Sequence, residues 1–101
     1  MRIRSPSLHE LHAFAATARH GSFSKAAEVL CVTQGAISRA VAKLEEQLGQ
    51  TLIARQARGA ELTPAGRSYL DLIEPALQSL ETAAMAQRAP QAATRLRLSV
   101  A

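Results

Sequence analysis

The sequence is poor in the residues that brace small domains covalently or with large aromatic packing. It has one cysteine, Cys31, so no disulfide can close within the chain. Tryptophan is absent and aromatic residues make up 3%. Any core must therefore be built from Leu, Ile, Val and Ala, a composition that favours closely packed helices. No apolar run approaches the roughly 20 residues that a membrane-spanning helix needs. The opening MRIRSPSLHE is basic but has no hydrophobic stretch behind it, so no secretory signal is expected. A reduced, cytoplasmic setting fits these features. Catalytic patterns are missing too. There is no nucleophile with a recognisable base, no phosphate-cradling glycine loop and no conspicuous acid pair, so an enzyme is not expected. His9 and His12 stand three apart with no Cys or third His beside them, whereas structural zinc takes about four ligands. No metal is expected, and no cofactor within these residues.

What is present is a chain of 101 residues, enough for one small domain, with a net charge of +4 and a pI near 10.2. Residues 1–58 hold eight of the 12 Lys and Arg but only four of the eight acids, which concentrates the basic excess in the first half. A modest basic excess is a weak pointer to nucleic acid by itself.

Local signals mark out the elements. Ser7 and Glu10 read as a capping box, with Leu8, Leu11, Phe14, Ala15 and Ala18 at helical spacing and Gly21 as the stop, predicting a helix from about Leu8 to His20. Ser22 can cap a short second helix lined by Phe23, Ala26, Ala27 and Leu30. Cys31-Val32-Thr33 is then a tight turn, with Cys31 packed on the core. Thr33 caps a third helix whose Ile37, Val41, Leu44 and Leu48 form one apolar stripe, closed by Gly49. The opposite side of that helix carries Gly35, Arg39, Ala42 and Glu46, flanked by Ser38 and Lys43. Residues 51–55 are β-prone, residues 56–60 read as a turn, and Glu61-Leu62 as a return strand, together a small hairpin. Thr63-Pro64 opens a long helix. Its Leu70, Ile73, Leu77, Leu80 and Ala84 alternate steps of three and four, a heptad seam that points to dimerisation. Pro75 should kink or weaken that helix. Pro90 falls in a following loop, and Arg95 to Val100 alternates as a strand, expected to begin a second domain.

Two helices joined by a three-residue turn make a helix-turn-helix. The major groove of B-form DNA admits one α-helix, and small outward residues at its start let the backbone approach the base edges. Gln34, Gly35, Ser38 and Arg39 are therefore the candidate base-contacting residues. Arg58, at the hairpin tip beside Gly59, can enter a minor groove. Lys25, Lys43 and Arg55, with Ser22 and Thr33 at the two helix starts, are placed to meet phosphates.

The run from Ser22 to Gly66, with FSKAAEVL, VTQGAISRAVAKLEEQLG, LIAR and LTPAG in order, resembles the signature of the LysR-type transcriptional regulators. Within that family TQGAISR and LRLSVA look most like the subgroup of the glycine-cleavage activator and the β-lactamase regulator. Gly35 stands where many members have Pro or Ser, and Ala40 where many have Gln. The resemblance implies a mainly α fold: a winged helix-turn-helix with a two-stranded wing over residues 1–63, and a long C-terminal linker (dimerisation) helix over 64–89. It implies that 90–101 are a hinge and the first strand of an effector-binding domain that takes a small-molecule co-inducer. It further implies recognition-helix contacts from Gln34, Gly35, Ser38 and Arg39, and a wing arginine at Arg58. The expected partners are double-stranded DNA on the nucleoid, a second copy through Leu70, Ile73, Leu77, Leu80 and Ala84, a tetramer at full length, and RNA polymerase. Two other readings stay open: a DNA-binding protein without an effector domain, and a winged-helix module that binds proteins instead of DNA.

Overall fold

The computed structural model describes the backbone of residues 6–57 and 59–100, and their side chains as far as residue 88. The elements are α1 (Leu8–His20), α2 (Phe23–Leu30), α3 (Gln34–Leu48), β1 (Ile53–Gln56), β2 (Gly59–Leu62) and α4 (Pro64–Val100). Each helix begins on a hydroxyl cap. The side-chain oxygens of Ser7, Ser22, Thr33 and Thr63 accept from the backbone N–H groups of Glu10, Lys25, Ala36 and Gly66 at 3.3, 3.2, 3.1 and 3.0 Å. Such a cap satisfies an amide that the helix itself cannot, worth about 1 kcal/mol. Helices α1, α2 and α3 end on left-handed residues, Gly21, Cys31 and Gly49. Cys31 adopts φ 58° without being glycine and lies exposed. The packed position expected for it is not observed, because the turn spends this residue on ending α2, not on the core.

Helix α1 is the hub. Ala13 to Thr17 are all buried, beyond the expected Phe14 and Ala15, because α2, α3 and α4 pack around this helix and β2 touches it, whereas Leu8 of the expected stripe is exposed at the helix start. The run of alanines lets those neighbours approach. Thr17 is tolerated at 0% exposure because its hydroxyl donates to the Ala13 carbonyl at 2.8 Å. Glu10 departs from the capping-box expectation. Ser7 caps as expected, but the Glu10 side chain turns under the helix and pairs with Lys43.

The wing is tighter than its sequence indicates. Ile53 pairs with Leu62, Ala54 with Glu61, Arg55 with Ala60 and Gln56 with Gly59, so the strands reach two residues further on one side and one on the other than the β-prone runs imply. One backbone bond ties the wing to the end of α1 and another closes its base. Ala60 donates to the Gly21 carbonyl at 3.0 Å, and Thr63 to the Leu52 carbonyl at 3.0 Å. Both approaches rely on glycine. A Cβ on Gly59 would strike the Gly21 carbonyl oxygen, and one on Gly66 would strike that of Leu52.

Helix α4 changes the sequence reading most. Leu70 and Leu77 are buried in the chain's own core, with Ile73 and Tyr69 packed against it. Tyr69 meets Phe14 with ring centroids 5.9 Å apart, and Arg19 pairs with Glu74 at 3.0 Å. The first half of the seam therefore completes the winged domain, and its core does not close at residue 63. The uncovered face of α1 supplies the reason: it needs an apolar partner, and α4 is the element that reaches it. Among the described residues, the large apolar side chains of α4 left exposed are Leu72, Leu80 and Met85, at 75, 49 and 65%. The helix runs on without a break through Pro75 and Pro90 to Val100. The loop and strand expected over 90–101 are thus helical backbone as far as Val100. A lone strand has no partner for its backbone groups, whereas a helix satisfies its own.

Candidate nucleic-acid interface

Helix α3 presents two unlike faces. Ile37, Val41 and Leu44 are buried beneath it, while Gln34, Gly35, Arg39, Ala42 and Lys43 are exposed and Ser38 is half-buried beside them. All four residues expected to contact bases thus lie on the outer side. Ala40 does not. It is 7% exposed and belongs to the core, so its small side chain serves packing and leaves the outer face unchanged.

Gly35 is unexplained by packing. A Cβ there would meet only the Arg39 guanidinium, at an ordinary 3.5 Å. Glycine is a poorer helix former than alanine, by about 1 kcal/mol in a helix interior and by less in the first turn, where Gly35 stands. A residue that weakens a helix and relieves no internal crowding leaves the backbone bare toward whatever the face meets.

The cations fall around that face. Lys25 is exposed in the first turn of α2, and Lys43 is exposed further along α3. Ser22 and Thr33 cap the two helices with oxygens that only accept in these bonds, leaving their hydroxyl protons free for an external acceptor. Helix N-termini carry partial positive charge, so those of α2 and α3 favour an anion nearby. Arg55 behaves differently from the expected free phosphate contact. Its Nη2 donates to the Ser38 hydroxyl, and its Cζ lies 4.6 Å from the centre of the Phe23 ring. Arg58, the expected wing arginine, lies outside the described residues.

Three positioning contacts were not read from the sequence. Glu45 Oε2 accepts from the amides of Leu52 and Ile53 at 2.8 and 3.1 Å, joining the end of α3 to the start of the wing. Glu10 is 7% exposed and its Oε2 stands 3.8 Å from Lys43 Nζ, while its Oε1 has no partner among the described residues. The third is the Arg55 contact with Ser38 and Phe23. Glu10 carried a signal, since it lies three and four residues before Ala13 and Phe14, on the face they bury. Glu45 and Arg55 carried none, because their partners are set by how elements meet. Among the described residues no group of His, Cys, Asp and Glu could hold a metal, and no helix is long and apolar enough to cross a membrane.

The comparison with known proteins agrees with this geometry. The pattern of the bacterial regulatory helix-turn-helix proteins of the lysR family matches residues 8–67. The chain belongs to the LysR family. AmpR of Pseudomonas aeruginosa, an HTH-type transcriptional activator, is 52% identical over 66 residues, covering 65% of this chain and 22% of its own length. The glycine cleavage system transcriptional activator of Escherichia coli is 48% identical over 75 residues, covering 73% of this chain and 25% of its own length. The subgroup resemblance read from TQGAISR is thereby borne out. This LysR-family chain spans roughly a quarter of the length of those relatives. Among solved structures, the CbnR DBD–DNA complex superposes with a TM-score of 0.73 at 34% identity, covering 83% of this chain and 97% of that one. The BenM DBD on catB site 1 DNA gives 0.74 at 34%, covering 81% and 92%. The mainly helical fold with a two-stranded wing and a long C-terminal helix is the fold of these domains.

Proposed function

We propose that this chain is the DNA-reading end of a LysR-type transcriptional regulator, binding double-stranded DNA sequence-specifically as a homodimer. The observation that carries the reading is the outer face of α3: a capped, rigidly packed helix with a bare glycine backbone and a row of hydrogen-bonding side chains, in a fold that relatives bring to DNA. In this reading α3 enters the major groove. Arg39 and Gln34 suit bidentate pairing with guanine and adenine, each such pair worth about 1–3 kcal/mol of discrimination. Gly35 gives the backbone room and Ser38 reaches the same edges. Ser22, Lys25, Thr33 and Lys43 meet phosphates, which position the protein and make its affinity salt-dependent. Arg58 on the wing reaches the neighbouring minor groove.

A second copy docks along α4. The buried positions Leu70 and Leu77 stiffen that helix from behind, and Ile73 is half-covered. Leu80 and Ala84, joined by Leu72 and Met85, supply the apolar area still open to a partner. Two copies then set two α3 helices in successive major grooves, about 34 Å apart. In a longer protein the segment after residue 89 leads to an effector-binding domain for a small-molecule co-inducer, and the regulator contacts RNA polymerase and assembles further to a tetramer.

The test is fluorescence anisotropy of the chain on the duplex upstream of its own gene, against a shuffled duplex, across a salt series. Tighter binding to the natural duplex that persists at moderate salt is expected. Arg39→Ala should abolish the difference between the duplexes. Lys43→Ala should weaken both equally and lower the salt slope by about 1. No binding to either duplex would favour the protein-binding reading instead.

A further inference from the structure

We propose that Arg55 is a positioning residue that fixes the Ser38 hydroxyl as a hydrogen-bond donor toward DNA, so that one recognition-helix residue is set by the wing. The proposal rests on the reading of α3 as the recognition helix. Three elements meet at this point: Arg55 on β1, Ser38 on α3 and Phe23 at the first position of α2. The guanidinium lies over the Phe23 ring, its Cζ 4.6 Å from the centroid, and Nη2 donates to Ser38 Oγ. The ring supports the planar fork, and the β1–β2 pairing of Arg55 with Ala60 fixes its backbone.

A serine hydroxyl is ordinarily ambiguous, because it rotates to donate or to accept as its partner requires. Here the ambiguity is removed. Arginine stays charged in proteins and has donors only. Its N–H occupies an acceptor side of Oγ, and its positive charge opposes the approach of a second donor. Donation into the oxygen also polarises the O–H bond and strengthens it as a donor. Ser38 is then matched to acceptors, which in the major groove are purine N7, guanine O6 and thymine O4, and not to the amino groups of adenine and cytosine. Arg55 thereby acts through Ser38, its charge drawn off the phosphate path that its position on the wing would otherwise suit.

The test starts from a duplex selected by the wild-type chain out of a random pool, with a shuffled duplex as control. Ser38→Ala and Arg55→Gln should each lower the preference for the selected duplex by about three- to tenfold, the factor set by one hydrogen bond. The double variant should lose no more than either alone, and all should relax the same base-pair position. Arg55→Lys should keep the salt slope yet lose the same preference, since an ammonium lacks the planar fork that spans ring and hydroxyl. Additive losses, relaxation at different positions, or an Arg55→Gln effect equal on both duplexes would overturn the proposal in favour of a plain phosphate contact. A DNA-free readout separates the two layers. In the unbound chain, Ser38→Ala should shift the NMR signals of the Arg55 guanidinium, and unchanged signals would overturn the contact itself. Failure of the wild type to enrich any sequence would instead overturn the DNA reading, and this inference with it.

Discussion

Removing the Glu45 carboxylate should loosen the wing from the recognition helix. Its Oε2 takes two backbone N–H groups, from Leu52 at 2.8 Å and Ile53 at 3.1 Å, at the point where the chain leaves α3 and enters β1. Hydrogen bonds to a charged group are worth about 1.5–3 kcal/mol each. Glu45 is half-buried, and one oxygen serves both donors, so the low end applies to each. Glu45→Ala should therefore cost about 3 kcal/mol, which for a domain of this size lowers Tm by roughly 12 °C. Glu45→Gln keeps a neutral acceptor in place and should cost about 1 kcal/mol. Urea unfolding at one fixed protein concentration measures both, with the midpoint moving and the m-value unchanged. Amide exchange localises the effect: the Leu52 and Ile53 N–H groups should lose protection before the α1 amides do. A loss under about 0.5 kcal/mol, the range of an ordinary surface substitution, with unaltered exchange at those two amides would refute the reasoning.

Three further perturbations probe α4 and its contact with α1. Leu77→Ala should destabilise the fold by about 2–5 kcal/mol, the cost of a cavity at a buried leucine, because that side chain is 2% exposed within one chain. Leu80→Ala, at 49% exposure, should change unfolding little but weaken self-association in sedimentation equilibrium; unchanged association would remove this face of α4 from the dimer. Tyr69 is the one tyrosine in a chain without tryptophan, so phenolate absorbance reports it alone. Burial, and after it the negative charge of Glu10, raise its pKa above the ordinary phenol value. The stability this reflects is full below pH ~10 and is lost as pH rises through the folded-state value, because the unfolded chain releases its proton first. Glu10→Gln should lower the midpoint without returning it to the ordinary value; a wild-type midpoint at or below that value would refute the burial.

The parts of this fold that were legible in the sequence are those decided within one or two helical turns. Ser7, Ser22, Thr33 and Thr63 cap amides three residues on, and Gly21 and Gly49 take the left-handed turns that end α1 and α3. These interactions span three to five residues, so the bounds of α1, α2 and α3 follow from residue type and spacing. The outer face of α3 was legible for the same reason, since Ile37, Val41 and Leu44 define by their spacing which side is buried and hence which side carries Gln34, Gly35 and Arg39. Tertiary structure decided what spacing does not encode. The seam of α4 has the same period whether it meets another copy or its own domain; only the uncovered side of α1 assigns Leu70 and Leu77 to the core and leaves Leu80 outside. Ala40 looks like a lost contact until α3 is seated and it proves to be packing. The Glu45 link to Leu52 and Ile53 and the Arg55 contact with Ser38 join residues seven to 17 positions apart across different elements. No periodicity records such pairs, because their geometry exists only after the hydrophobic faces have brought the helices and the wing together.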